Sequence, residues 1–156
     1  MGTLGTLVAK DVMASPVVCV DANEGLSEVG QRLMDAHVSG LPAVKEGRLV
    51  GIITRSDYVR IPILLKAYDG YVSDLRYEEE LQQQDRAEFH EFRSHLETLT
   101  VHDVMTSKVV TCAEDTPVSE IVAKMLIHHV HRVVVVDQGR PIGIVGSLDL
   151  IKLLEH

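Results

Sequence analysis

The sequence predicts an α+β fold built from two similar units, each with the element order β-α-β-β-α. Three observations support this prediction: an internal repeat, apolar residues at helical spacing, and pairs of short apolar strands on either side of a glycine turn. A shift of 92 residues superposes the chain on itself without a gap, so that Asp11-Val12-Met13 falls on Asp103-Val104-Met105. A unit of this size needs a neighbour to complete its core, so the two units are expected to pack together.

The elements follow the same order in both units. An extended stretch at 17–20 or 109–112 comes first, followed by a helix at 24–37 or 116–129 whose apolar residues recur at helical spacing. Two strands then flank a glycine turn, at 40–44 and 49–53 in unit one and at 132–136 and 141–145 in unit two. The second strand of each pair leads directly into the second helix.

The repeat divides the chain into four parts. Residues 1–7 are predicted to form a flexible leader, 8–65 unit one, 66–99 a helical insert or linker, and 100–156 unit two. The second helix of unit one is expected to continue past Pro62, placed near its first turn, as far as Asp69-Gly70. A further helix is predicted at about 74–97. Its acidic residues indicate a solvated helix along the edge of the module, with a dimer clasp or a docking surface as the alternative.

Composition limits the classes of function. The 156 residues carry a formal net charge of −8, which disfavours nucleic acid as a partner because phosphates require clustered Lys and Arg. No run approaches the roughly 18 consecutive apolar residues of a membrane span, so no membrane association is expected. Cys19 and Cys112 lie in apolar runs without metal-ligand spacing. They are predicted to be reduced core thiols of a cytoplasmic protein.

The segment Gly51-Ile52-Ile53-Thr54-Arg55-Ser56-Asp57 carries the most specific signal. Thr54 and Asp57 have the spacing of a capping box, in which the threonine caps a helix and the acid occupies its third position. Helix initiation alone accounts for many such pairs. Gly51, near the end of a strand, also permits close approach of a ligand or of another backbone. A helix N-terminus suits a phosphate and a carboxylate one turn further suits two ribose hydroxyls, so the segment is equally compatible with a nucleotide site.

Both units resemble the cystathionine-β-synthase (CBS) domain, and together they resemble a CBS pair, or Bateman module. The resemblance rests on Asp-Val-Met near the start of each unit, His-Val after the first helix and the Gly-x-x-Thr-x-x-Asp signature. It covers about 8–65 and 100–156. It implies tandem CBS domains related by a pseudo-two-fold axis, adenine-nucleotide binding between them, and a regulatory module rather than an enzyme.

The resemblance also implies roles for residues of unit one. Thr54 is expected to contact phosphate and Asp57 to hold the ribose, while Arg55 beside them has a charge suited to phosphate. The adenine is expected to lie between aliphatic side chains. The residues predicted for this wall are Val8, Lys10, Val12, Val18 and Ile52.

Unit two departs from the signature, because Gly146 occupies the position of the threonine. Ser147 is predicted to cap the helix from one residue later, and Asp149 is retained. His131-Arg132 resembles the His-Arg strand of the γ subunit of AMP-activated protein kinase, which implies that both side chains reach nucleotide phosphates in the central cleft. One dominant site at Asp57 that shares phosphate contacts from unit two is favoured, and two unequal sites are the alternative.

No metal site and no cofactor are predicted. His129 and His131 would face the same way on a strand, but no Cys or carboxylate completes a ligand set. His37 occupies the position equivalent to His129, which indicates a structural role for this residue. No catalytic motif is recognisable in the sequence.

The sequence therefore predicts a ligand-sensing module for AMP, ADP or ATP, with AMP or ATP favoured. Binding would shift the population of relative orientations of the two units. A homodimer through the CBS helices and a regulated protein partner are also expected. The alternatives are a ligand-free interaction module and a binder of another adenosyl ligand, S-adenosylmethionine or NAD.

Overall fold

The computed structural model describes residues 5–38, 40–68, 94 and 97–155, and it describes side chains for all of these except 62–68. The predicted acidic helix at 74–97 lies almost wholly outside this part of the chain, as do residues 1–4 of the predicted leader. Within the leader, the carbonyl of Leu7 accepts a hydrogen bond of 2.9 Å from the N–H of Val118. The end of this segment is therefore anchored to unit two.

Six helices and six strands are distributed equally between the two units in the described part of the chain. Unit one contains α1 (Ala9–Val12), β1 (Val20–Asp21), α2 (Leu26–Asp35), β2 (Gly40–Lys45), β3 (Arg48–Thr54) and α3 (Arg55–Tyr68). Unit two contains α4 (Val101–Val104), β4 (Thr111–Cys112), α5 (Val118–His128), β5 (Arg132–Asp137), β6 (Arg140–Gly146) and α6 (Ser147–Lys152). The predicted α+β class and the duplicated unit are confirmed, with one short helix added at the start of each unit. Among these helices none is both long and apolar enough to cross a membrane.

Each unit is built on its own three-stranded sheet, in the order β1-β2-β3 or β4-β5-β6. The first two strands are parallel and the last two are antiparallel. In unit one Gly40 pairs with Thr54, and in unit two Arg132 pairs with Gly146. A register shift falls at Ala43/Val44 in unit one and at the equivalent Val135/Val136 in unit two. Positions 92 residues apart are therefore equivalent in structure as well as in sequence.

The two hairpin turns have the same backbone conformation. Glu46 and Gly47 have φ values of 53° and 77°, and Gln138 and Gly139 have φ values of 48° and 78°. Two consecutive residues with positive φ are typical of a type I′ turn, whose twist matches that of the flanking strands. The glycine in each turn thus meets a backbone requirement of the hairpin.

The segments that lead into each unit are exchanged between the units. In α1, the N–H of Ala9 donates to the carbonyl of Thr116 at 2.8 Å, and Ala9 belongs to the apolar core of unit two. In α4, the N–H of Val101 donates to the carbonyl of Glu24 at 2.9 Å, and Val101 belongs to the core of unit one. Because each core requires a residue from the other unit's leading segment, neither unit completes its core alone.

The helix predicted from near Glu24 to about His37 extends from Leu26 to Asp35. The N–H of Glu24 closes a turn onto the carbonyl of Asp21, and His37, with a φ of 52°, lies beyond the helix. The predicted place of Pro62 is wrong. Because α3 begins directly at Arg55, Pro62 stands in the middle of the helix rather than near its first turn.

Candidate ligand cleft

The predicted capping box forms at the junction of β3 and α3. Asp57 Oδ2 accepts the backbone N–H of Thr54 at 2.7 Å and the hydroxyl of Thr54 at 3.0 Å. Asp57 is 3% exposed, and among the described residues it is the one charged side chain that is buried. Both of these bonds from Thr54 go to the same oxygen, Oδ2. An ionised carboxylate accepts hydrogen bonds on both of its oxygens, so a buried carboxylate at this place suits a ligand that donates hydrogen bonds.

The same capping geometry occurs at a second place, where it has no such surroundings. Asp103 Oδ2 accepts the N–H of Thr100 at 2.8 Å and its hydroxyl at 3.1 Å, at the start of α4. Asp103 is exposed, and α4 has a single turn. The Thr-x-x-Asp pattern therefore starts a helix in both places, and only the burial of Asp57 distinguishes a candidate ligand site.

Arg132 approaches the unit-one capping box from unit two. Its Nη1 lies 3.3 Å from the point that a Cβ on Gly40 would occupy, and Thr54 Cγ2 lies 3.1 Å from the same point. The guanidinium and the threonine therefore meet above Gly40. Burial lowers the pKa of Arg132, and the negative charge of Asp57 opposes that effect. A guanidinium is not deprotonated in proteins, so the side chain stays cationic.

The remaining predicted contacts of unit one are in different surroundings. Arg55 is exposed, and its Nη2 lies 3.5 Å from the carbonyl of Leu33. Val18 is 59% exposed just before β1. Ile52 is buried, and its backbone exchanges two hydrogen bonds with Thr106, of 2.9 and 3.0 Å. The Ile52 backbone is therefore already occupied by the leading segment of unit two.

Three residues of the predicted adenine wall are placed against unit two. Val8 forms a backbone bridge with Pro117, the N–H of Lys10 donates to the backbone carbonyl of Glu114 at 2.9 Å, and Val12 packs on the unit-two core. These contacts follow from the exchange of the leading segments. The structure does not bring Val8, Lys10 and Val12 together with Thr54 and Asp57.

In unit two the corresponding box is weaker. Asp149 Oδ2 accepts the N–H of Gly146 at 2.9 Å, and no hydroxyl is present at that position. Asp149 Oδ1 lies 3.8 Å from the ammonium of Lys152. The prediction that Ser147 caps the helix is wrong, because Gly146 is the N-cap and Ser147 is the first helical residue.

His131 and Arg132 have different surroundings. His131 is exposed just before β5, which begins at Arg132. His131 and Ser147 instead line a groove of about 820 Å³ on the helical face of unit two. The apolar side chains that line it include Val118, Val122, Met125, Leu126, Leu150, Ile151 and Leu154.

His37 and His129 share an unusual backbone conformation. Their φ values are 52° and 54°, in the left-handed region, at the C-terminal ends of α2 and α5. A left-handed residue commonly ends a helix. Within the described ranges no three His, Cys, Asp or Glu side chains group as a metal site.

The comparison with protein families agrees with the fold. The family model of the CBS domain matches residues 9–63 and 101–156, that is, both units. The chain belongs to the CBS domain family. Its two CBS domains form a pair, with Asp57 in the first domain and Arg132 in the second.

Relatives of this CBS pair include free-standing and multidomain proteins. An uncharacterised protein of Methanocaldococcus jannaschii is 32% identical over 157 residues, which cover 95% of this chain and 91% of that protein. An L-aspartate semialdehyde sulfurtransferase of the same organism is 30% identical over 150 residues. The match covers 95% of this chain but only 23% of that enzyme, so the CBS pair spans about a quarter of it.

A solved CBS domain pair has the same architecture. It is 27% identical, covers 95% of this chain and 99% of its own, and superposes with a TM-score of 0.67. That structure is a complex with 5′-methylthioadenosine and S-adenosyl-L-methionine.

The sequence did not reveal two features of the cleft. The first is Gly40, which leaves the space that Arg132 enters, because a missing side chain produces no motif. The second is the apolar groove of unit two, whose exposed residues include Leu126 and Ile151. The equivalent residues of unit one, Met34 and Val59, are also apolar, so the signal in the sequence was a repeated pair of apolar positions.

Proposed function

We propose that this CBS pair is a regulatory module that binds an adenine nucleotide, AMP or ATP in preference, at Asp57 in the cleft between its domains. The observation that carries this proposal is the buried carboxylate of Asp57 beside a cation from the other domain. The two hydroxyl groups of a ribose can donate hydrogen bonds to the Asp57 carboxylate, and a 5′-phosphate supplies the negative charge that Arg132 would bind.

The atoms around Asp57 support this orientation of the ligand. Since Oδ2 is occupied by the two bonds from Thr54, the ribose hydroxyls would donate to Oδ1. The N-terminus of α3, with Thr54, Arg55 and Arg132 around it, would receive the phosphates. Val18, which is exposed, and Ile52 would contact the adenine. The complex of the 27% identical CBS pair with two adenosyl compounds supports the same ligand class.

The proposed role is regulatory rather than catalytic. A ligand that contacts both domains binds best to one relative orientation of them, and its binding shifts the population toward that orientation. A regulated protein partner, or a second copy of the chain, would respond to the change. Both cysteines are free thiols, which supports action in the reducing cytoplasm.

Titration calorimetry with AMP, ADP, ATP, NAD and S-adenosylmethionine tests the proposal. Wild-type protein is expected to bind an adenine nucleotide, and Asp57→Asn is expected to weaken binding by at least about tenfold, because a charge-assisted hydrogen bond is lost. Asp103→Asn is the matched control, since Asp103 makes the same capping bonds on the surface. Equal weakening in both variants would reduce the role of Asp57 to helix capping.

The five ligands also discriminate between the alternatives. Binding of NAD or S-adenosylmethionine alone would replace the adenine nucleotide by another adenosyl ligand at the same site. Binding of none of them would leave a ligand-free interaction module.

We further propose that a second copy of the chain covers the apolar groove of unit two. Leu126 and Ile151 are 70% and 55% exposed there, which is unusual for large apolar residues that share one surface. The charges beside the groove are balanced within α5, where Lys124 lies 3.8 Å from Glu120. The same surface of a second copy can therefore approach without net repulsion, which favours a homodimer through the helices.

Analytical ultracentrifugation tests the dimer. Leu126→Asp is expected to shift the protein toward monomer, because it places a charge in an apolar contact. Leu148→Asp is the matched control, since Leu148 is 69% exposed but lies outside the groove. A dimer that survives Leu126→Asp, or a wild-type monomer, would reject this contact.

A further inference from the structure

We propose that Gly40 and Arg132 together decide which of the two clefts binds an anionic ligand, and that Gly40 is a specificity-determining residue. This inference rests on the proposed function and adds the charge class of the ligand for each cleft. It predicts that nucleoside 5′-phosphates bind at Asp57, whereas the cleft at Asp149 gains nothing from a phosphate.

The two positions are equivalent and face each other. Residues 40 and 132 are 92 positions apart, and each opens the central strand of its sheet, opposite residue 54 or 146. Arg132 Nη1 lies only 3.3 Å from where a Cβ on Gly40 would stand. A side chain at residue 40 would compete with this guanidinium for the same space. One arginine thus occupies the space between residues 40 and 132. The glycine at residue 40 lets it extend toward the cleft at Asp57.

The presence of glycine at residue 40 and arginine at residue 132 makes the two clefts electrostatically unequal. At Asp57, a half-buried guanidinium from the other domain and the hydroxyl of Thr54 accompany the carboxylate. At Asp149, the equivalent positions are Gly40 and Gly146, so neither group is present. The cation beside Asp149 is Lys152, whose side chain is 71% exposed and already 3.8 Å from that carboxylate. A solvated lysine contributes little to anion binding compared with a partly desolvated arginine.

The ratio of two dissociation constants measures this selection. Wild-type protein is expected to bind AMP about tenfold more tightly than adenosine, the size of one charge-assisted contact. Arg132→Gln should reduce that ratio to about one. Gly40→Ala should reduce it in part, since the added methyl would lie 3.3 Å from Nη1 and push the guanidinium back by a few tenths of an ångström while the arginine itself is kept. Circular dichroism at each step checks that the variants are folded.

The exchange variant Gly40→Arg/Arg132→Gly is the decisive test. It should move the AMP preference to the other cleft, so that Asp149→Asn abolishes AMP binding in the exchanged background and Asp57→Asn no longer does. An AMP-to-adenosine ratio that survives Arg132→Gln, or a preference that remains at Asp57 after the exchange, would overturn the inference while leaving the proposed function intact. Failure of wild-type protein to bind either compound would instead reject the proposed function, and the inference with it.

Discussion

Met105 occupies the space above Gly51 that a side chain at residue 51 would need. A Cβ on Gly51 would overlap the sulfur of Met105 and would lie 3.0 Å from the carbonyl oxygen of Thr106. Met13 fills the space above Gly143 in the same way. Each methionine belongs to the exchanged leading segment of one domain and each glycine to a strand of the other. The two contacts therefore join the domains at equivalent points.

Gly51→Ala is expected to lower the free energy of unfolding by about 1–3 kcal/mol, the usual cost of inserting a methyl group into a packed interior. Urea unfolding measures it, with Gly25→Ala as the control because no atom lies within 4 Å of a Cβ there. Adding Met105→Ala should recover part of the loss, giving a coupling energy between the two positions. Equal stability of Gly51→Ala and Gly25→Ala would contradict the contact.

Gly146→Thr is expected to stabilise the protein by about 0.5–1 kcal/mol, by adding a capping hydroxyl and restricting the unfolded chain. Gly146 has φ −97° and ψ 158°, which threonine adopts freely, and the nearest atom to an added Cβ is Asp149 Oδ2 at 3.3 Å. The new hydroxyl can donate to Asp149 as Thr54 donates to Asp57. Gly146→Ala separates the two contributions in thermal unfolding. If alanine stabilises as much as threonine, the hydroxyl adds nothing.

The sequence predicted the repeated fold well because its signals are local. Short apolar strands, helical spacing and glycine turns each extend over a few residues, and a gapless repeat shows every signal twice. The short helices α1 and α4 were missed because four residues cannot establish a period. The exchange of the leading segments was also hidden, since two copies of Asp-Val-Met look the same whichever core they join.

The site was predictable only in part, for a different reason. The spacing of Thr54 and Asp57 predicted a capping box, and Thr100 and Asp103 show that the same spacing also occurs on the surface. Burial of Asp57 and the approach of Arg132 depend on how the domains pack, which no local pattern encodes. His131 was predicted beside Arg132, but it is exposed just before β5 and lines the groove of unit two instead.

His37→Gly is expected to raise the free energy of unfolding by about 0.5–1 kcal/mol, because a left-handed residue with a Cβ is strained and glycine is not. The φ of His37 is 52°, and the residue is exposed beyond the end of α2. His37→Ala keeps the Cβ and should bring no such gain, which makes it the control in calorimetric unfolding. Stabilisation by alanine equal to that by glycine would show that the histidine side chain, rather than the backbone, is unfavourable.

Tyr58 should make the stability of the protein fall in alkaline solution. Its hydroxyl donates to the carbonyl of Leu26 at 2.7 Å, and burial together with the charge of Asp57 raises the pKa of Tyr58 from 10.0 to about 12. The unfolded chain therefore loses this proton near pH 10, whereas the folded protein keeps it until about pH 12. The stabilisation is fully present below pH 10 and is lost as the pH rises through that window, because the unfolded state alone is favoured by ionisation there.

Tyr58→Phe isolates this contribution, since it keeps the ring that packs 3.0 Å from the Cβ position of Gly30 and removes only the hydroxyl. At neutral pH the variant should be less stable than wild type by about 1 kcal/mol, the net value of one hydrogen bond. The difference should shrink as urea unfolding is repeated at rising pH between 10 and about 12. A difference that stays constant over that range would mean that Tyr58 titrates alike in both states. The hydroxyl would then lack the protected environment between α2 and α3 that the structure gives it.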